Sequence, residues 1–286
     1  MKVCVVVVTY NRLEVLLKTV DHILKQIHPV DYFVVVDNAS NVDVGPPLKG
    51  KSGRIDLLKL ADNQGYGAGL SMGMKYALSK FRDIDFFWLM DDDSLPKSEL
   101  LNEILASRVK SGRPGIVSVT GFIDSLWHGP VRISMREASF ELHAADHVLI
   151  DGALVDKSVV EVVGTPREDL FMMCEDVEYS KRIKRAGFGV FILPQESFMD
   201  RLHLGGGDGF TKNTVWRGYY HARNHLVIVK EYFSWRNLLG YTIRQLKYLI
   251  KGLTPSDRRK RVSLRLLGIL HGVSGKMGKT IDPAKI

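Results

Sequence analysis

Three consecutive aspartates, Asp91 to Asp93, directly follow the apolar run Phe86–Met90. A run of this kind is typical of a buried strand, so the carboxylates lie where the strand leaves the core. Adjacent carboxylates repel one another and cost free energy to desolvate, and a divalent cation would offset both costs. Hard oxygen ligands suit Mg²⁺ or Mn²⁺, and such sites usually also hold substrate phosphates. The alternative is a solvated acidic turn before a helix, with Ser94 as the N-cap and 97–99 in the first turn.

A second acidic pair, Glu175 and Asp176, follows the apolar residues 171–173 and begins a segment with helical spacing that ends at Gly187. Asp176 could simply cap that helix. Other polar residues come directly after strand-like runs near the start of the chain: Thr9, Asn11 and Arg12, then Asp37 and Asn38. In open α/β sheets, ligands bind at the carboxyl edge of the strands, where these residues are expected.

The first half of the chain has the pattern of alternating strands and helices. Val3–Val8 is a continuous β-branched run, as expected of a strand buried on both faces. Asn11 is predicted to cap the following helix, with Glu14 as its capping-box partner. The strand 32–36 comes next, which favours a parallel sheet with a right-handed crossover.

Residues 41–53 are rich in Gly, Pro and Asp and are predicted to form a loop. After a strand at 55–60, the glycine-rich turn 63–69 leads into a helix, and its glycines allow a ligand to approach the backbone closely. The second half has a mixed pattern, with strands predicted over the sheet's carboxyl edge. The predicted strands are 116–119, 131–135, 148–155 and 188–193, and the predicted helices are 157–163, 216–228, 231–253 and 256–272.

Five of these motifs occur in a specific order. They are Val8-Thr9-Tyr10-Asn11-Arg12, Asp37-Asn38-Ala39-Ser40, Asn63-Gln64-Gly65-Tyr66-Gly67, Asp91-Asp92-Asp93 and Cys174-Glu175-Asp176-Val177-Glu178. Over residues 1–225 the chain resembles a family 2 glycosyltransferase. This resemblance implies the GT-A fold, an α/β, Rossmann-like, mostly parallel sheet, and leaves 226–286 as a basic, amphipathic helical extension.

The resemblance also implies an inverting transfer from a nucleotide-diphosphate sugar, with Mn²⁺ or Mg²⁺ as cofactor. Asp91 and Asp93 resemble the family's metal-binding acids, and Asp92 would face the sugar or ribose. His203 lies where some members supply a further metal ligand; the alternative is a surface histidine in a loop. Asp176 resembles the catalytic base, a role that Glu175 could take instead. The residues expected against the donor are Thr9, Asn11, Arg12, Asp37 (on the nucleotide base), Asn38, Asn63, Gly65 and Asp92.

The donor sugar is suggested by similarity to galactofuranosyltransferases and rhamnosyltransferases that build bacterial polysaccharides. The triple aspartate and the segment 219–224, Tyr-Tyr-His-Ala-Arg-Asn, carry this similarity. UDP-galactofuranose is favoured and dTDP-rhamnose is the alternative. The tyrosine pair could contact sugars, or could be an aromatic core stripe on a helix.

The net charge of +8 is concentrated in the C-terminal helices, which predicts an anionic partner. These amphipathic helices could lie on an anionic membrane and so reach a glycan or lipid-linked acceptor, or pack on the catalytic domain or on a second subunit. The two cysteines form no metal spacing, and no signal or membrane-spanning pattern is present. We therefore expect a cytoplasmic enzyme, peripheral on the inner face of the plasma membrane if the helices bind lipid.

Three other classes are compatible with parts of this pattern. A nucleotidyltransferase would usually have a first loop rich in Gly and Lys or Arg, and Thr9–Arg12 lacks those glycines. A nucleic-acid binder would use the basic C-terminal end, but no base-reading motif accompanies it. A nucleotide-sugar binding module without catalysis would not need Asp91, Asp93 and Asp176 together.

Overall fold

A computed structural model describes residues 1–109, 114–134, 141–202 and 214–285, and the structural statements below concern these residues. The strands are β1 (Val3–Thr9), β2 (Tyr32–Asp37), β3 (Ile55–Lys59), β4 (Phe86–Asp91), β5 (Ser94–Pro96), β6 (Pro114–Ser118), β7 (Gly121–Ser125), β8 (Gly129–Arg132), β9 (His143–Ala144), β10 (His147–Val148), β11 (Ala153–Asp156), β12 (Gly189–Ile192) and β13 (Met199–Arg201). The helices are α1 (Leu13–Leu24), α2 (Gly45–Lys51), α3 (Tyr66–Lys80), α4 (Leu100–Val109), α5 (Lys157–Val163), α6 (Glu175–Arg185), α7 (Trp216–Glu231), α8 (Trp235–Lys251) and α9 (Arg258–Ser274).

The central sheet has eight strands in the order β3-β2-β1-β4-β11-β6-β12-β9. The first four run parallel, as do β6 and β12, whereas β11 is antiparallel to both of its neighbours. Strands β10, β7 and β8 form a second, small sheet, and β5 pairs with β13. This mostly parallel, mixed sheet flanked by helices confirms the predicted α/β fold.

The position of strand β1 inside the sheet explains why residues 3–8 are apolar without interruption. Val3, Val5 and Val7 belong to the core under α1 and α4, and Val6 and Val8 to the core under α3 and α6. Both faces of the strand are therefore covered, as in parallel sheets generally.

The register of the first strands brings the predicted polar residues to one edge. Thr9 pairs with Asp37 on β2, and Val8 pairs with Asp91 on β4. The carboxyl ends of β1, β2 and β4 are thus neighbours, and the chain places its acids where an open α/β sheet binds ligands.

Two predictions about the first half of the chain are wrong. Arg12, not Asn11, is the N-cap residue of α1, and no side chain caps this helix. The predicted loop 41–53 contains α2, whose first turn holds two prolines. Proline is well suited to a first helical turn because its missing N–H would have no partner there.

Further corrections concern the second half. Ser94 lies in β5 instead of capping a helix, since Arg201 of β13 pairs with it. The predicted strand 148–155 is two strands, β10 and β11, separated by a turn in which Gly152 has a φ of 83°. β8 ends at Arg132, earlier than predicted.

Helices α7, α8 and α9 form the C-terminal part of the chain, and α7 crosses residue 225, the predicted domain boundary. Helix α9 packs tightly on α7: a Cβ on Gly268 would lie 2.3 Å from the backbone oxygen of Tyr219. Within the described residues, none of the helices combines the length and apolar character needed to cross a bilayer.

Candidate active site

The Arg12 guanidinium contacts all three aspartates of the triplet at the end of β4. Arg12 Nη2 lies 3.2 Å from Asp91 Oδ1 and 2.5 Å from Asp92 Oδ1, and Arg12 Nη1 lies 2.8 Å from Asp93 Oδ2. Thr9 Oγ1 donates a 2.7 Å hydrogen bond to Asp92 Oδ2. Asp92, expected to face the sugar or ribose, is fully buried and its carboxylate contacts Thr9 and Arg12.

The positive charge of Arg12 does not fully offset the repulsion among the three carboxylates. Burial, followed by the charges of Asp92, Asp151 and Asp93, raises the pKa of Asp91 well above its ordinary value, although Arg12 opposes this shift. Burial also raises the pKa of Asp92. One oxygen from each aspartate of the triplet lies within 4.8 Å of the others, a spacing that one cation could bridge. The site therefore has the ligand type and the excess negative charge that suit Mg²⁺ or Mn²⁺.

His203, the third predicted metal ligand, lies outside the described residues. Of the predicted ligands, the structure therefore brings together Asp91 and Asp93.

Asp37 has an oxygen without a partner. Its side chain is fully buried at the end of β2, and its Oδ1 accepts a 2.8 Å hydrogen bond from the backbone N–H of Ser40. Its Oδ2 is buried and has no hydrogen-bonding partner among the described residues. An unsatisfied buried acceptor is unfavourable, so this oxygen is suited to accept an N–H from a ligand.

Asn38 and Asn63 organise the glycine-rich turn. Asn38 Oδ1 accepts a hydrogen bond from Gln64 N at 2.8 Å, and Asn38 Nδ2 donates to Gly65 O at 3.1 Å. Asn63 Oδ1 accepts from Gly65 N at 3.0 Å. Both asparagines are predicted to contact the donor, and in the structure these side-chain groups hold the turn.

Asn11 also has a structural contact in place of the predicted cap. Its backbone N–H donates to Ser40 Oγ at 2.9 Å, and its Oδ1 accepts from Asn41 N at 2.7 Å. These bonds join the loop after β1 to the loop after β2, beside Asp37.

Asp151 and Arg201 connect the acidic groups, and the sequence analysis did not identify either residue. Asp151 Oδ1 accepts a 2.9 Å hydrogen bond from Asp91 N, and its Oδ2 accepts from Ser94 Oγ at 2.6 Å and from Arg201 Nε at 2.8 Å. Asp151 follows the apolar residues 148–150, the same signal that identified Asp91. No comparable sequence signal identifies Arg201. It reaches the site only because β13, a strand late in the chain, is placed there by the fold.

Asp176 and Glu175 lie in the first turn of α6 and differ in protonation. Asp176 does not cap this helix: Cys174 is the N-cap residue, and Asp176 Oδ1 accepts a 2.7 Å hydrogen bond from Ile150 N. Burial raises the pKa of Asp176 to about 6, while the Ile150 N–H lowers it. Burial and the charge of Asp176 raise the pKa of Glu175 to about 8. At neutral pH Asp176 is therefore the ionised member of the pair.

The loop before α6 has a strained backbone that buried side chains hold in place. Phe171, Met173 and Cys174 have positive φ angles of 64°, 72° and 71°. Such conformations persist only where the surroundings enforce them. Asn224 Nδ2 donates to the backbone oxygens of residues 170, 172 and 173 at 2.8–3.0 Å, and Arg223 Nη2 donates to that of residue 170 at 2.9 Å.

The tyrosine pair of α7 belongs to the core. Tyr219 and Tyr220 are fully buried, and Tyr220 Oη donates to Ile281 O at 2.6 Å. The structure thus agrees with the alternative of an aromatic core stripe.

A different tyrosine, Tyr66 at the start of α3, has a buried hydroxyl without a partner in the described chain. Its pKa is raised by burial and then by the charges of Asp151 and Asp91.

Known proteins resemble this chain in sequence and in fold. Residues 4–137 match the family model of glycosyl transferase family 2. Galactofuranosyltransferase GlfT1 of Mycolicibacterium smegmatis is 28% identical over 259 residues, covering 85% of this chain and 83% of its own length. The dTDP-rhamnosyl transferase RfbF of Shigella flexneri is 24% identical over 246 residues, covering 79% of each chain.

A solved structure has the same fold. The mannosyltransferase PcManGT from Pyrobaculum calidifontis, in complex with GDP-Man and Mn²⁺, has a TM-score of 0.61 at 14% identity. The match covers 96% of this chain and 88% of that one. Residues 4–137 thus match glycosyl transferase family 2, within a chain whose fold is that of GT-A glycosyltransferases.

Proposed function

We propose that the protein is an inverting glycosyltransferase that moves a sugar from a nucleotide-diphosphate donor to a hydroxyl of a glycan or lipid-linked glycan in bacterial polysaccharide synthesis. The observation that carries the proposal is the position of Asp176, a carboxylate in the first turn of α6 and outside the aspartate triplet, whose Oδ1 accepts a hydrogen bond from Ile150 N. Residues 150 and 151 connect it to the aspartate triplet by hydrogen bonds. The site thus has one acidic group for the diphosphate and a separate one for the acceptor.

Asp176 acts as the general base. Its carboxylate takes the proton from the acceptor hydroxyl as that oxygen attacks the anomeric carbon of the donor sugar. The bond from the anomeric carbon to the diphosphate oxygen breaks on the opposite side, and the nucleoside diphosphate leaves with the bonding electrons. One base and one direct displacement invert the anomeric configuration. Glu175 is mostly protonated at neutral pH and is therefore the weaker candidate for the base.

The donor is held by groups at the ends of β1, β2 and β4. Asp37 Oδ2 accepts a hydrogen bond from the nucleotide base, because this buried oxygen has no partner among the described residues. Asp91 and Asp93 would hold Mn²⁺ or Mg²⁺ with the diphosphate, and the cation would stabilise the charge that develops on the leaving group. The Mn²⁺ in the PcManGT structure supports this assignment. Arg12 contributes a fixed positive charge beside the same oxygens.

The donor that we favour is UDP-galactofuranose, on the basis of the relative GlfT1. The relative RfbF supports dTDP-rhamnose as a second candidate. The test is a panel of nucleotide sugars incubated with the protein, Mn²⁺ and glycan acceptors, with the new linkage analysed by NMR. Transfer with inversion from one donor of the panel is expected. Nucleotide binding without transfer from any donor would instead indicate a binding module that lacks catalysis.

Helix α8 supports a peripheral association with an anionic membrane. Trp235, Leu239, Leu246 and Ile250 share one helix face and are at least half exposed. Basic residues 258–261 begin the next helix, α9. An exposed apolar face beside positive charge is the pattern of helices that lie in a membrane interface, where a lipid-linked acceptor would be found.

A further inference from the structure

A cavity of about 270 Å³ lies beside Asp176, between the β7–β8 hairpin and helices α6, α7 and α8. Asp176 and Cys174 line it, as do Arg236, Gly240 and Arg244 of α8. These three α8 residues are spaced by one helical turn each, so they form one stripe that faces the cavity. The donor groups at the ends of β1, β2 and β4 do not line it, which makes this cavity a separate space that shares Asp176 with the active site.

The cavity combines apolar walls with positive charge. Phe122, Leu126, Leu149 and Ile228 contribute apolar surface, and Lys181, Arg236 and Arg244 contribute the cations. Lys181 Nζ lies 3.5 Å from Asp124 Oδ2, so part of its charge is balanced. Neither Arg236 nor Arg244 has a carboxylate within ion-pair distance in the described portion of the chain.

Arg244 is held in place without an acidic partner. Its guanidinium lies against the hairpin turn: a Cβ on Gly129, which has a φ of 76°, would lie 3.1 Å from Arg244 Nε. That Nε atom is buried and has no hydrogen-bonding partner in the parts of the chain described here. A buried donor without a partner is costly, and an anion in the cavity would remove this cost.

The same positive charges act on the neighbouring His225. Burial, followed by the charges of Arg244 and Lys181, lowers the pKa of His225 to about 3. His225 is therefore neutral, and its buried Nδ1 is likewise without a hydrogen-bonding partner among the described residues. A neutral imidazole beside an unpaired guanidinium can contribute a further hydrogen bond to an oxyanion.

We propose that this cavity binds the phosphate group of an amphiphilic acceptor, with Arg244 as the principal phosphate ligand and the apolar walls around the adjoining chain. The inference rests on the proposed function, since it places the acceptor next to Asp176. Arginine suits this role because its planar fork matches the oxygens of a phosphate group. Arg236 lies one turn from Gly240 at an exposed position, next in sequence to Trp235 of the exposed apolar face. A lipid chain leaving the cavity would therefore meet the surface proposed to contact the membrane.

Calorimetry with two soluble probes tests the proposal. Farnesyl phosphate and farnesol share one chain and differ in the phosphate group. Titrations of the full chain in EDTA and excess UDP keep the monophosphate away from the metal-dependent donor groups. We expect farnesyl phosphate to bind about tenfold or more tightly than farnesol, which corresponds to about 1.4 kcal/mol. Equal affinities of the two probes would overturn the proposal.

Variants locate the binding. Arg244→Ala should remove most of the preference for the phosphate, whereas Lys251→Ala, an exposed cation on the same helix that does not line the cavity, should retain it. An unchanged preference in Arg244→Ala would also overturn the proposal.

If Arg244→Ala does not fold, Gly240→Leu tests the same space. Among the described residues, a Cβ on Gly240 would meet Leu126 at 3.5 Å or more, so the position accepts a side chain. The larger leucine side chain would fill the cavity. Weaker binding of farnesyl phosphate is then expected, and unchanged binding would refute the location.

These binding measurements separate the two proposals. Phosphate-dependent binding at Arg244 without transfer from any nucleotide sugar would leave the cavity assignment standing and contradict the proposed function. Transfer to glycan acceptors without any preference for the phosphate probe would contradict the cavity assignment alone.

Discussion

Gly65 lies directly against the backbone of Phe171: a Cβ on Gly65 would be 1.8 Å from the Phe171 carbonyl oxygen. The glycine-rich turn before α3 therefore touches the strained loop that positions Glu175 and Asp176. Gly65 also has a φ of 90°, a conformation that other residues rarely adopt. One residue thus couples the donor side of the site to its acceptor side.

We expect Gly65→Ala to displace this loop and to lower transfer by at least about tenfold, in addition to a loss of stability of roughly 1–3 kcal/mol from the backbone strain. Steady-state kinetics and thermal unfolding measure the two effects. Gly50→Ala is the matched control, because a Cβ there has no neighbour within 4 Å. Wild-type activity in Gly65→Ala would show that the loop tolerates movement.

Asp176→Asn should abolish most transfer and leave the donor bound. The substitution keeps an oxygen that can accept the hydrogen bond from Ile150 N, but it removes the basic carboxylate. Loss of a general base typically lowers the rate by about 10²–10⁴-fold. Single-turnover rates and donor titrations measure the two properties separately.

Glu175→Gln is the control for this prediction, since Glu175 is mostly protonated at neutral pH and Gln resembles the protonated acid. It should retain most of the wild-type rate. A large loss in Glu175→Gln together with a near-normal Asp176→Asn would transfer the role of the base to Glu175.

The pH dependence of transfer should show an acidic limb near pH 6. The proposed mechanism needs Asp176 ionised, and burial raises its pKa to about 6. Because the active form is the deprotonated one, kcat/KM should rise as the pH increases from 5 to 7. The profile should be measured at saturating Mn²⁺, so that metal binding does not limit the rate. A flat profile over this range would argue against Asp176 as the base.

Nucleotide binding should depend on the metal at the triplet and on Asp37 separately. We expect UDP to bind at least about tenfold more weakly in EDTA than with Mn²⁺, since the cation shields the diphosphate from Asp91 and Asp93. Asp93→Ala should weaken UDP but not uridine, whereas Asp37→Ala should weaken both. Calorimetric titrations of the two ligands distinguish these outcomes, and unchanged uridine affinity in Asp37→Ala would refute its contact with the base.

The exposed face of α8 should bind anionic vesicles. Leu246→Ser with Ile250→Ser should reduce co-sedimentation with phosphatidylglycerol vesicles by about tenfold, because apolar area that enters the interface is lost. Val162→Ser, an equally exposed apolar position on α5, is the control. Sedimentation of the double variant at the wild-type level would contradict a membrane role for this face.

The strands and the acidic ends of the central sheet could be predicted from the sequence because their signals are local. The β-branched run 3–8 and the apolar run 86–90 each lie in strands that are covered on both faces, and such burial requires continuous apolar residues. Asp37 and Asp91 end the apolar runs 32–36 and 86–90, so both carboxylates come at the carboxyl ends of their strands. Since parallel strands align their carboxyl ends, the shared location of these acids follows from the sequence alone.

The tertiary structure decided which groups these acids contact. Arg12 reaches all three aspartates, and Asn224 holds the loop before Asp176, although each partner is distant in sequence. Local periodicity contains no information about such pairings. Asn11 and Ser94 show the same limit: both have good capping chemistry, but bonds to residue 41 and pairing with β13 determine their positions. In the sequence, Arg244 is one basic residue among several on an amphipathic helix. Its place in the lining of the cavity beside Asp176 results from the packing of α8 beside the β7–β8 hairpin.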